Sequence, residues 1–240
     1  MAASRTANGA RVRAIVLDFN GTLAQDDHLV APLYVDAFAS IGATLTAEEY
    51  HRDLAALPDR EVFELGLQRA RLPVDPIRRD ALVQARLEGY MAAVAETPPI
   101  AAHAVAFVRA AAGRVHLAIA SGAFRREIES VLDAAALSAY FEAIVAIDDV
   151  THGKPHPEGF LRALEEINRT SGELQPITAA EVVAVEDATA GAYAARQAGM
   201  HVAAIRGPGY DPLSGHAELI IERLDPAALE QMLVLADPVS

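Results

Sequence analysis

Apolar and polar positions along the chain fall into two regimes. From Ala14 to Leu17 an unbroken apolar run stops at Asp18 and is followed by Phe19-Asn20-Gly21-Thr22-Leu23, the pattern of a buried strand that carries a carboxylate to its end. From about Leu29 to Val94 apolar residues recur at helical spacing without a strand pattern. Leu33, Ala37 and Ile41 mark one face there, and Thr46 followed by Glu48 and Glu49 predicts a capped helix start. Pro58 to Glu61 reads as a loop, with further helices over 62–70 and 78–94. Thr97-Pro98-Pro99-Ile100 then excludes helix.

Beyond that hinge the pattern alternates. Helices are predicted over 101–112, 125–134, 158–167 and 226–235, and a Gly/Ala-rich one runs to Gly199. Strands are predicted over 115–120, 143–147, 182–185, 201–205 and 217–221. Residues before Arg11 lack periodicity and read as a frayed terminus. The alternation predicts an α/β fold, a Rossmann-like parallel sheet with helices on both faces. Residues 11–24 and 97–240 would form this discontinuous core, and 25–96 a small helical domain inserted into it.

Composition narrows the chemistry. With 240 residues, 52% of them hydrophobic, the chain can bury one substantial core and a smaller satellite. A formal net charge of -13 opposes general attraction to nucleic acid or to an anionic membrane, so an anionic substrate needs local positive charge. The absence of Cys rules out disulfides and a thiolate nucleophile. No apolar run has the length of a membrane span, and a cytoplasmic location is the default expectation.

In a parallel sheet Asp18, Ser121 and the pair Glu186-Asp187 share one carboxyl edge, where open α/β sheets bind ligands. Lys154, in the loop His152-Gly153-Lys154-Pro155-His156, is the only Lys of the chain, which points to a site that needs a compact ammonium. These residues suit phosphoryl transfer. Carboxylates of Asp18 and Asp187 can bind Mg²⁺, a carboxylate oxygen of Asp18 can attack phosphorus, Lys154 can offset charge, and Ser121 with the N–H of Gly122 can hold phosphate oxygens.

The ordered set resembles the haloacid dehalogenase superfamily, in its capped branch, which includes phosphoglycolate phosphatase and β-phosphoglucomutase. Asp18-Phe19-Asn20-Gly21-Thr22-Leu23 is similar to motif one, Ser121 to motif two, Lys154 in Gly-Lys-Pro to motif three, and Glu186-Asp187 with Gly191 and Ala198-Gly199-Met200 to motif four. The resemblance implies a cap domain over residues 25–96, a Mg²⁺ site at Asp18, Asn20, Glu186 and Asp187, and substrate contacts at Thr22 and Gly122. It also implies hydrolysis of small phosphorylated metabolites through an aspartyl phosphate. One position departs from the family: where its phosphatases carry a second Asp as general acid and base, this chain has Asn20, which cannot exchange that proton.

Three accounts of Asn20 stand. It is an introduced change that stalls the enzyme; or it is natural, matched to an undemanding leaving group or to a substitute among Asp26, Asp27 and His28; or the protein binds a phosphorylated ligand without turnover. Among the family's other chemistries, metal-free dehalogenation is opposed by Glu186-Asp187. Schiff-base phosphonate chemistry is opposed by a helical insert without Lys, and phosphomutase chemistry by Val30 near the place of a cap His. The insert is expected to close over the site and select the substrate, with Arg60 its best candidate to reach in. His152 and His156 are expected to be exposed rather than metal-bound, and Arg125, Arg126 and Glu127 to form a solvated face.

Overall fold

A computed structural model describes residues 11–55, 57–207 and 209–235. The frayed terminus expected before Arg11 lies outside them, as do the last residues of the core range and the side chain of Asp27.

Strand β1 (Ala14–Leu17) is buried along its whole length. It sends Ile15 and Leu17 into one apolar cluster and Ala14 and Val16 into another, which explains why its sequence reads as a continuous hydrophobic run rather than an alternation. With β2 (His116–Ala120), β3 (Ala143–Val145), β4 (Val182–Glu186), β5 (His201–Ile205) and β6 (Leu219–Ile221) it forms a six-stranded sheet of order β3-β2-β1-β4-β5-β6. Every pairing is parallel. The chain begins in the middle of the sheet, builds outward to β3, then crosses to β4 and builds the other way. The strand order therefore reverses at β1, where an open sheet leaves a crevice at its carboxyl edge.

Helices cover both faces. Helices α5 (Ala102–Ala111), α6 (Arg125–Ala134) and α9 (Pro226–Met232) contribute Phe107, Val131 and Leu229 to one cluster. Helices α7 (Glu158–Thr170) and α8 (Thr189–Gln197) contribute Phe160 and Ala195 to the other. Among the described residues no helix is long and apolar enough to cross a membrane.

Between β1 and α5 the chain is helical, as its periodicity predicts: α1 (Asp27–Ser40), α2 (Ala47–Glu49, continued by the wider turn Tyr50–Leu54), α3 (Asp59–Arg69) and α4 (Pro76–Glu96). A reciprocal Thr46–Glu49 capping box starts α2, as the sequence predicts. Two expectations fail. The buried face of α1 is Ala31, Tyr34 and Phe38, whereas Leu33, Ala37 and Ile41 are only partly buried, because the aromatic rings of Tyr34, Tyr50, Phe38 and Phe63 pack together and turn the helix toward themselves. The expected loop at 58–61 is instead the first turn of α3, with Pro58 immediately before it, where a missing N–H and a fixed φ cost nothing.

Candidate active site

The site follows from the sheet. Register places Leu17 beside Ile119 on one side and Val185 on the other, so the residues that follow emerge together at one edge. Asp18 is buried, and its N–H donates to the carbonyl of Val185 at 2.9 Å. Asp18, Glu186 and Asp187 each offer a carboxylate oxygen, and these atoms lie within 4.8 Å of one another. The loop between β3 and α7 returns Lys154 to this cluster. Its Nζ donates to Asp18 Oδ1 at 2.5 Å and lies 2.5 Å from Glu186 Oε1, with the Phe160 ring 5.2 Å away.

Electrostatics here is a contest between desolvation and pairing. Burial disfavours the Lys154 ammonium, but Asp18 and Glu186 outweigh it and hold its pKa above the ordinary lysine value. Burial pushes the Glu186 carboxyl up, against the opposing pull of Lys154. A patch this crowded with acid oxygens is suited to a hard divalent cation.

Two glycines make the crowding possible. At Gly21, φ is +74°, and an added Cβ would sit 2.0 Å from Asp187 Oδ2. At Gly191 an added Cβ would fall 2.1 Å from the Glu186 carboxylate. The Asp187 carboxylate thus fills the space that a side chain at position 21 would need, and the all-oxygen donor set fits a cation of the Mg²⁺ type.

Ser121 is buried, its Oγ accepting from the Ala123 N–H at 3.2 Å, and exposed Gly122 follows it toward the start of α6. Ser121, Gly122, His152 and Lys154 line a small cavity. Asn20 turns its amide nitrogen to Asp26, donating to Oδ2 at 2.6 Å, and the Tyr90 hydroxyl donates to the same oxygen at 2.7 Å. Asp26 and Tyr90 have no exposed surface. Thr22 is buried, and among the described residues its hydroxyl has no hydrogen-bond partner.

Not every residue singled out in the sequence meets there. Arg60 lies on the first turn of α3, exposed, with its Nε 3.8 Å from Asp80 of α4. His152 and His156 are exposed, as expected, and share a surface corner with Glu158. The solvated face expected at the start of α6 holds only for Arg126. Arg125 pairs with Asp149 at 2.6 Å, and Glu127 is buried.

Glu127 belongs to a network the sequence reading missed. Arg86 of α4, itself buried, donates to Glu127 of α6 and, through Nε at 3.0 Å, to Asp59 of α3; Asp59 also accepts from the Tyr34 hydroxyl at 2.5 Å. Burial works against the Arg86 charge, yet Glu127 and its other partners leave its pKa raised. Burial likewise raises that of Glu127. The available signal was a lone Arg at helical spacing inside the stripe Leu82, Val83, Leu87, Tyr90.

Comparison with known proteins identifies the family and the fold. Residues 12–199 match the family described as haloacid dehalogenase-like hydrolase. The chain is 30% identical over 203 residues to protein CbbY of Rhodobacter capsulatus, covering 80% of this chain and 84% of that one. It is 27% identical over 189 residues to the phosphorylated carbohydrates phosphatase of Thermotoga maritima, covering 79% and 82%. Its fold is that of CbbY from Rhodobacter sphaeroides in complex with phosphate, with TM-score 0.76 at 24% identity over 91% of this chain and 99% of that one. A β-phosphoglucomutase from Clostridium difficile shares it with TM-score 0.76 at 17% identity, covering 92% and 96%. The edge at which Asp18, Lys154 and Glu186-Asp187 converge lies within the matched span, and the chain belongs to the haloacid dehalogenase-like hydrolases.

Proposed function

We propose that the chain is a Mg²⁺-dependent phosphohydrolase that moves the phosphoryl group of a small phosphorylated molecule first to Asp18 and then to water. The observation that carries this reading is the Lys154 ammonium, 2.5 Å from both Asp18 and Glu186 at the edge shared with Asp187. Phosphatase relatives such as that of Thermotoga maritima support it.

One carboxylate oxygen of Asp18 attacks phosphorus while the bond to the departing oxygen breaks, leaving an aspartyl phosphate. Water then attacks phosphorus, and Asp18 leaves as the carboxylate it began as. Lys154 offsets negative charge on nucleophile and phosphoryl group, and Ser121 Oγ with the Gly122 N–H holds phosphoryl oxygens. Carboxylates of Asp18, Glu186 and Asp187 and the backbone carbonyl of Asn20 would hold Mg²⁺, which when bound neutralises charge on the transferring group. Residues 25–96 act as a cap that excludes water and selects the substrate, with Thr22 on the core side and Arg60 on the cap side as substrate contacts.

A second reading, phosphate-ligand binding without turnover, is favoured by Asn20 alone. Both are tested by phosphate release from sugar, polyol and carboxylate phosphates with Mg²⁺, by the chain and by Asn20→Asp. Release that EDTA and Asp18→Asn both abolish is the expected result. No release by either protein, with ligand binding intact by calorimetry, overturns hydrolysis in favour of binding.

A further inference from the structure

Asn20 enters the phosphohydrolase reading only through its backbone carbonyl, and the surroundings of its side chain decide what replaces the missing acid. Its amide faces Asp26 at 2.6 Å and neither gives nor takes a proton near neutral pH. Asp26, the nearest carboxyl that could substitute, has no exposed surface, and its Oδ2 also holds the Tyr90 hydroxyl at 2.7 Å. Tyr90 is equally sealed. A substrate atom therefore touches neither group. Lys154 is engaged by both Asp18 and Glu186, and the Ser121 hydroxyl, a very weak acid, is already an acceptor for Ala123 N–H. Among the described residues with a side-chain hydrogen bond or ion pair to Asp18 or Asn20, none is placed to protonate a leaving group; His28, on the first turn of α1, is exposed and makes no such bond to either, and the side chain of Asp27 lies outside the described residues.

We propose that this site turns over substrates whose leaving group departs as a stabilised anion, acyl phosphates above all, and disfavours alkyl phosphate esters; the proposal rests on the phosphohydrolase reading above. With an acyl phosphate, the Asp18 oxygen bonds to phosphorus as the bond from phosphorus to the acyl oxygen breaks. Both electrons leave on a carboxylate, which needs no proton. With an alkyl ester the same step expels an alkoxide, a strong base that must be protonated as it forms. Losing a general acid costs about 10²- to 10⁴-fold in rate, and the loss falls on the second class. The hydrolytic step is common to both. Its leaving group is the Asp18 carboxylate, and one proton of the attacking water passes to a phosphoryl oxygen, giving dihydrogen phosphate.

The test is kcat/KM with Mg²⁺ for acetyl phosphate, a series of substituted phenyl phosphates, and glycerol phosphate, after peptide mass spectrometry has excluded deamidation at Asn20-Gly21. The expected result is acetyl phosphate favoured over glycerol phosphate by at least about 10²-fold, with a steep dependence on leaving-group acidity across the phenyl series. Asn20→Asp should raise glycerol phosphate turnover by about 10²-fold or more and so narrow its gap to acetyl phosphate. Glycerol phosphate turned over as readily as acetyl phosphate, or a flat phenyl series, overturns the proposal and leaves the phosphohydrolase reading intact, without reliance on the variant. Failure of both proteins on every substrate overturns that reading and the proposal together.

Discussion

At the residue scale, Gly21 shows how little room the site has. Gly21→Ala would bring a methyl against Asp187 Oδ2 at a backbone φ of +74°. The left-handed conformation costs about 1 to 2 kcal/mol with a Cβ present, and the displaced carboxylate adds to it. A lowered urea midpoint with phosphate release reduced by about 10²-fold is expected; a variant with unchanged turnover would mean that the position of Asp187 is not critical. Residues at strand ends were legible because a carboxylate or hydroxyl after an apolar run has few structural reasons to be there, and Lys154 because it is the chain's only ammonium side chain. What Asn20 touches was not legible. Its partner Asp26 is fixed by Tyr90, 64 residues further along, and no local pattern encodes that meeting.

At the scale of elements, the joint between α3, α4 and α6 is built from charge rather than from apolar packing alone. Arg86→Met would leave the carboxylates of Asp59 and Glu127 facing a buried gap, and removing one partner from such a group costs about 3 to 5 kcal/mol. Urea unfolding should register that loss, and Arg86→Met combined with Glu127→Gln should recover part of it; a change below about 1 kcal/mol in the single variant would show the joint to be water-filled. The helix was legible from its apolar spacing. The role of Arg86 was not, because a basic residue in a helix reads as solvent-facing until a neighbouring element supplies its acids. The misread face of α1 has the same origin: Tyr34 and Phe38 are buried by rings from other elements, which the periodicity of one helix does not reveal.

At the scale of the molecule, a parallel sheet was legible from strands alternating with helices, but the order β3-β2-β1-β4-β5-β6 depends on pairings between distant segments. That order sets the cluster of Asp18, Glu186 and Asp187 over the central strands, so a cation bound there stabilises the folded state alone. Mg²⁺ at a hundredfold excess over its dissociation constant should add about 2.7 kcal/mol, or about 5 to 10 °C in thermal midpoint for a chain of this size. Scanning calorimetry with and without Mg²⁺ measures this, and Asp187→Asn should shrink the shift; an unchanged midpoint in the unmodified protein would exclude a cation at this edge. The buried pairing of Arg86 with Glu127 has one more consequence, for modular evolution. An insert transplanted from a relative must carry its own cation to the same spot or strand an acid of the recipient. The insert and the core of this molecule are thereby obliged to diverge as a pair.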